Sequence, residues 1–364
     1  MNELTRKYPV VEIDLKKLRH NIDEIVSRCN KMGISVTGVI KGFNGNVACA
    51  REFQNSACTG LATSRIEHII ECKEAGLPGP YMLIRIAMPS EAEDVVRYSE
   101  SSLESEISVI RMLNAECAKQ NKRHGVILMA DLGDLREGFW NADELIEAAL
   151  EAEALEYIDL LGVGTNLGCY GAIVPSIENL TQLIELAERI EAKIGRKLDI
   201  ISGGATTSLP LVLDGTMPKR INHLRLGEGI LQGKDLNDLF KLRMDFLNLD
   251  CFTVKAEVLE VKTKPSYPVG KIFVDCYGNT PEYPNRGMRR RALVGIGKLD
   301  FVFCDMMLPK EKGIEVLGGS SDHLILDVED HEGELKPGDV LSFDVRYATM
   351  MYTTASRYVR IDAK

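Results

Sequence analysis

No stretch of the 364-residue chain approaches the ~20 consecutive apolar residues of a bilayer-crossing helix, so no membrane-spanning segment is expected. Low-complexity tracts and long polar blocks are also missing, which excludes an extensively disordered chain. None of the six histidines is spaced as a metal motif demands, and no metal site is expected. The nine cysteines are scattered without a repeated pair spacing, and no hydrophobic leader precedes Tyr8. Reduced thiols and a cytoplasmic location are therefore expected. A net charge of -10 repels nucleic acid and anionic lipid, and the run Arg289-Arg290-Arg291 is too short to reverse that.

What is present points to a large soluble protein, since an apolar share of 45% over this length suffices for one large core and a second domain. Between Ser35 and Gly233 a short apolar run ending in polar residues alternates eight times with a stretch of helical period. The runs are Val36 to Ile40, Gly60 to Thr63, Tyr81 to Ile84, one ending at Ser102, Val126 to Ala130, Leu160 to Thr165, Leu198 to Ile201, and Ile221 to Leu224. Helices are expected between them, among others over Ala142 to Ala154 and Leu180 to Ile194. Continuous apolar strands alternating with helices imply a parallel sheet covered on its outer face, and eight units close a barrel. The predicted fold is α/β, a (β/α)8 TIM-type barrel followed by a mostly β domain.

After Leu236 the pattern turns to β, with runs at Cys251 to Lys262, Lys271 to Cys276, Ala292 to Ile296, His323 to Val328 and Val340 to Tyr347, separated by Gly, Pro and Asp turns. The predicted division is residues 1–14 as a strand pairing with the β domain, 15–240 as the barrel and 241–364 as the β domain.

In such a barrel, function gathers at the carboxyl ends of the strands. Lys41 ends the first run in a crowded apolar setting, where burial lowers an ammonium pKa and frees the amine for Schiff-base chemistry. Read alone, a strand-end lysine simply reaches solvent. Ser202-Gly203-Gly204-Ala205-Thr206-Thr207 and Gly227-Glu228-Gly229 supply small residues and hydroxyls suited to a phosphate, although such turns also serve as plain tight connections.

Val39-Ile-Lys41, Asp131-Leu-Gly-Asp-Leu-Arg136-Glu-Gly-Phe, Arg225-Leu-Gly-Glu-Gly and Ser320-Ser-Asp322-His-Leu-Ile-Leu-Asp occur in the order of landmarks of the alanine racemase family. The chain resembles that family over nearly its whole length. Asp131 to Gly138, Ser202-Gly-Gly, Pro268 to Gly278, Arg289 to Ala292 and Gly318 to Val328 resemble a branch acting on ornithine. The resemblance implies a pyridoxal 5′-phosphate (PLP) enzyme, an amino-acid racemase working as a homodimer with shared sites.

Lys41 would hold the cofactor and exchange the α-proton on one face. Arg225 would face the pyridine nitrogen, and Asn166 would lie near the ring. Ser202, Gly203, Thr206, Thr207, Gly227, Glu228 and Tyr347 would serve the phosphate side. Arg136 would bind the substrate carboxylate, with Ser321 and Asp322 walling the substrate pocket. The second acid/base would be a tyrosine of the partner subunit, Tyr277 or Tyr283.

Three departures from the family stand out. Asn166 stands where alanine racemases carry a histidine stacked near the ring, so the relay toward the tyrosine must differ; Gly42 to Asn46 lacks the family's phosphate tyrosine; and Ser321 stands where they carry a methionine, a change that fits a larger substrate. Alanine or a broad substrate range, a PLP carrier without turnover, and metal-assisted aldol cleavage are the competing readings.

Overall fold

A computed structural model of the chain describes residues 6–364. They divide into two compact units, Leu15–Cys251 and the N-terminal residues through Asp14 together with Phe252–Lys364. With strands numbered in chain order, β1 (Val10–Ile13) belongs to the second unit. In the first, β2 (Ser35–Val39), β3 (Gly60–Thr63), β4 (Tyr81–Leu83), β5 (Ser101–Glu104), β6 (His124–Met129), β7 (Ile158–Gly164), β8 (Ile200–Ser202) and β9 (His223–Leu226) form a closed parallel barrel.

All eight apolar runs are strands, and their side chains explain the closure. Val39, Ala62, Met82, Leu103, Ile127 and Met129 form one buried cluster, with Leu161 and Ile200 packed against it, so the ring is filled by aliphatic side chains. Between β7 and β8 the backbones approach so closely that a Cβ on Gly162 would lie 1.8 Å from the Ile200 carbonyl oxygen, and glycine is what this register requires.

The helix Ala142–Ala154 is capped by Asn141, whose side chain accepts from the N–H groups of Asp143 and Glu144. The helix expected from Leu180 begins a turn earlier, at Ile177, because Ser176 and Asn179 make a reciprocal capping box. The unit also runs on past residue 240. Asn21 bonds the backbone of Asn248 through both its amide nitrogen and its oxygen, and Lys17 bonds Asp250 at 2.7 Å. These contacts keep 241–251 with the barrel.

In the second unit the strands are β10 (Phe252–Pro265), β11 (Met288–Val294), β12 (Met307–Pro309), β13 (Glu315–Gly319), β14 (Leu324–Asp327), β15 (Val340–Val345) and β16 (Arg360–Ala363). Their order is β12-β15-β10-β11-β14-β13, and β1 pairs antiparallel with β10 and parallel with β16. Alternation along β10, with Phe252, Val254, Ala256 and Val258 buried, gives this sheet one apolar face.

Two β expectations fail. Lys271 to Cys276 forms no strand, because Asp275 closes a turn with the N–H groups of Tyr277 and Asn279, while Phe273 and Val274 stay exposed with no face to bury. The run expected through Tyr347 stops at Val345, and Tyr347 begins the helix Tyr347–Ala355, inside which Thr353 and Thr354 bond carbonyls four residues back.

Candidate active site

Lys41 follows β2 as the first residue of a single 3-10 turn, Lys41–Phe43, which Asn44 closes in the left-handed region at φ 52°. The turn is pinned from β3 and the helix after it. Thr63 donates to His68 Nδ1 at 2.8 Å, and His68 Nε2 donates to Asn44 Oδ1 at 3.1 Å. The lysine is half-buried, and burial holds its pKa below the ordinary ammonium value. The positive charges of Arg136 and then Arg225 push the same way, against Cys169 and Glu137. Lys41, Arg136, Glu137, Cys169 and Arg225 therefore form one electrostatic cluster on β9 and the loops after β2, β6 and β7.

Arg225 lies inside the ring, 3% exposed. One guanidinium nitrogen donates to the Ser202 hydroxyl and another to the Thr165 carbonyl at 2.8 Å. Behind Ser202, His223 Nδ1 lies 2.8 Å from the hydroxyl oxygen, and His223 Nε2 lies 2.8 Å from Thr37 Oγ1. A guanidinium can only donate, so the Ser202 oxygen accepts and its one hydrogen goes to Nδ1, which leaves Nε2–H to donate to Thr37. His223 is thus held neutral. Burial, with the Arg225 charge adding to it, drives its pKa down to about 3. Burial lowers Arg225 as well, to about 10, which keeps the guanidinium charged at neutral pH.

Arg136 sits on the loop after β6, which folds back so that Phe139 N–H donates to the Met129 carbonyl at 2.8 Å. Gly138 makes this fold possible at φ +133°, where a Cβ would meet the Asp131 nitrogen at 2.5 Å. The Arg136 guanidinium is forked onto Glu137, Nη2 to Oε1 at 2.5 Å and Nε to Oε2. Burial raises the Glu137 carboxyl above its ordinary pKa although Arg136, Arg225 and Lys41 all oppose it. The same loop carries Asp134, 1% exposed, whose carboxylate accepts from the N–H groups of Gly168, Cys169 and Tyr170 at 3.0, 3.2 and 3.0 Å. One carboxylate thereby fixes the loop after β7 against the loop after β6.

The two glycine-containing turns lie together. Gly229 N–H donates to Thr206 Oγ1 at 3.0 Å, and Thr207 donates to the Leu167 carbonyl at 2.7 Å. Ser202 departs from its expected role, since its hydroxyl is engaged with Arg225 and His223, and the Gly203 N–H is bonded to the His223 carbonyl. Gly227 and Glu228 open the short helix Glu228–Leu231, and one Glu228 oxygen accepts from Asp235 N–H. Asn166 is half-buried directly after Thr165.

Tyr277, Tyr283, Ser321, Asp322 and Tyr347 belong to the other unit. There the Lys298 ammonium lies 4.1 Å above the Tyr277 ring centre, and Ser321 donates to Asp322 at 2.6 Å. Tyr277 and Tyr283 are both exposed. Asp322 lines a cleft of that unit with Arg6, Leu299, Asp300 and Tyr358.

Glu137, Asp134, Cys169 and the Thr37–His223–Ser202 chain were not anticipated. The signal for the chain was period two, because His223 and Arg225 are two apart on one strand and so share a face. The signal for Glu137 was an acid directly beside the arginine expected to bind a carboxylate.

Residues 13–234 match the family described as alanine racemase, N-terminal domain. The chain is 38% identical to an ornithine racemase of Acetoanaerobium sticklandii over 97% of this chain and 98% of that protein. It is 36% identical to a lysine racemase of Thermotoga maritima over 97% of each. Among solved structures, an alanine racemase of Clostridium difficile 630 shares the fold, with TM-score 0.76 and 21% identity over 98% of this chain and 96% of that one.

Proposed function

Because the chain belongs to the alanine racemase family, we propose that it interconverts the L and D forms of ornithine with PLP held at Lys41. The chain is an enzyme, an amino-acid racemase. The observation that carries the cofactor assignment is the half-buried Lys41 amine with its pKa pushed down beside Arg136 and Arg225. A lowered ammonium pKa favours the neutral amine that covalent capture of an aldehyde needs.

The donor set fits this cofactor. Arg225 offers a buried, charged guanidinium for the ring nitrogen, and Thr206, whose oxygen accepts from Gly229 N–H, keeps its hydroxyl hydrogen for the phosphate where the two glycine-containing turns meet. When bound, PLP supplies the electron sink that tolerates loss of the α-proton. Arg136 binds the substrate carboxylate with the guanidinium donors that Glu137 leaves over. Lys41 Nζ takes and returns the α-proton on one face. Tyr277 or Tyr283 of a second copy does so on the other.

We read the working state as a homodimer in the cytoplasm. Leu135, Trp140, Tyr170 and Val174 stand exposed on the loops after β6 and β7, an apolar surface that a second copy would cover. The cysteines are all free, which suits a reducing compartment.

The test is incubation of the PLP-loaded protein with single L-amino acids in heavy water, following α-deuteration and D-product. Ornithine is expected to exceed alanine. Equal or reversed rates overturn the ornithine assignment, deuteration without D-product overturns racemisation, and no exchange at all leaves a carrier. Lys41→Ala is expected to lose both the yellow colour and the exchange.

A further inference from the structure

A substrate with a second ammonium needs an anion within reach of its side chain, and the carboxylate coupled to the Lys41 amine is that of Glu137. We infer that Glu137 binds the distal ammonium of a diamino-acid substrate, so that the Arg136–Glu137 pair reads both charged ends of one molecule. This rests on the racemase reading above and names the residue that selects among racemase substrates.

Three observations support it. First, Glu137 is forked onto Arg136 on the loop after β6, and the charges of Lys41 and Arg225 also act on its carboxylate, so it stands among the same ionisable groups as the Lys41 amine. Its side chain retains 13% exposure, enough for a ligand to touch it. Secondly, the fork onto Arg136 takes one acceptor position on each oxygen. A carboxylate has about four such positions, of which its own backbone N–H takes one more, and a guanidinium has five donors of which two are used by the fork. The pair therefore presents an unsatisfied negative end and an unsatisfied positive end. Thirdly, the substrate's two charges are close together, and so are the groups that would take them. The carboxyl carbon and distal nitrogen of ornithine are five bonds apart, an extended zigzag of about 6 Å built from ~1.5 Å bonds, and the guanidinium and carboxylate stand on neighbouring residues.

An alanine site has no use for such an acid. Burial raises the Glu137 pKa, so its ionisation is opposed by the same surroundings that a ligand cation would relieve. The two relatives that match over nearly the full chain are named for ornithine and lysine, both diamino acids.

The experiment compares kcat/KM for L-ornithine and L-norvaline, which has the same side-chain carbons and no distal ammonium, in the wild-type protein, Glu137→Gln and Glu137→Asp. A hydrogen bond to a charged group contributes about 1.5–3 kcal/mol, so the ornithine-to-norvaline ratio is expected to fall about 10- to 100-fold in Glu137→Gln. Glu137→Asp should recover part of it, and it also provides the reading should the glutamine variant not fold. If ornithine and norvaline rates fall together, Glu137 does no more than steady Arg136 and the inference is wrong. An unchanged ratio in a wild type active on ornithine sinks the inference alone. A wild type inert on ornithine, lysine, norvaline and alanine sinks the racemase reading, and this one with it.

Discussion

Replacing Ser202 by alanine removes one hydroxyl from the middle of a buried chain, and the cost can be worked from its two neighbours. The Arg225 N–H loses its acceptor and His223 Nδ1 loses its donor, with both residues 3% exposed. Each stranded buried group costs about 1–3 kcal/mol, so the pair costs about 2–6 kcal/mol. The departing hydroxyl no longer needs desolvating, which returns about 1–3 kcal/mol and leaves a net loss of about 1–3 kcal/mol. In the middle of that range the unfolding midpoint of a domain this size falls by roughly 4–8 °C. The assay is denaturant and thermal unfolding of the wild type, Ser202→Ala, His223→Phe and the double variant. Because the two residues share a hydrogen bond, the cycle should show coupling of about 0.5–3 kcal/mol. A Ser202→Ala protein within about 0.5 kcal/mol of wild type, with single effects that simply add, refutes the chain as drawn.

The same histidine sets a pH dependence. Its folded pKa of about 3 lies below the unfolded value near 6.5, so its contribution is complete above that value and is lost as pH falls from 6.5 towards 3. Each such group gives a slope of about 1.4 kcal/mol per pH unit, and His223→Phe should remove that much slope from unfolding measured across pH 4–6. His124, pushed by burial to about 4, keeps part of the acid limb in the variant. Asp134→Ala should free the N–H groups of Gly168, Cys169 and Tyr170, seen as faster amide exchange there and faster thiol labelling at Cys169, with the barrel strands unchanged.

The barrel could be read from sequence because its strands are buried on both faces and appear as uninterrupted apolar runs, from Val36 to Leu224. Periodicity alone does not fix where a helix starts: the helix expected from Leu180 begins at Ile177 because Ser176 and Asn179, three apart, cap it. The β unit was harder, because period two does not reveal whether a face finds a partner. Lys271 to Cys276 is rich in strand-forming residues without any sheet to join, and Tyr347 sits where a strand pattern passes into a helix. In the site, Lys41 and Arg225 were legible as ionisable residues at the ends of apolar runs, and Arg136 only through the family resemblance. Ser202 was read as a loop donor, because its hydroxyl's direction depends on the pairing of β8 with β9, where Ser202 lies opposite His223.

That pairing has an electrostatic consequence for the whole site. A buried guanidinium is commonly balanced by a carboxylate in direct contact, which cancels most of its field. Arg225 is held by a hydroxyl and a carbonyl, with a histidine kept neutral behind them, so its position is fixed while its charge is not neutralised by the groups that fix it. Glu137 acts on it through space and is itself forked onto Arg136. Two cations against one carboxylate leave an excess of positive charge beside Lys41, which adds to burial in lowering the pKa of that amine and favours an anion. A phosphate carrying about -1.5 to -2 and a substrate carboxylate both meet that requirement. The neutral chain from Thr37 to Ser202 is therefore part of the site's charge balance: an acid at the Ser202 position could hold Arg225 equally still, and it would cancel the field that the ligands need.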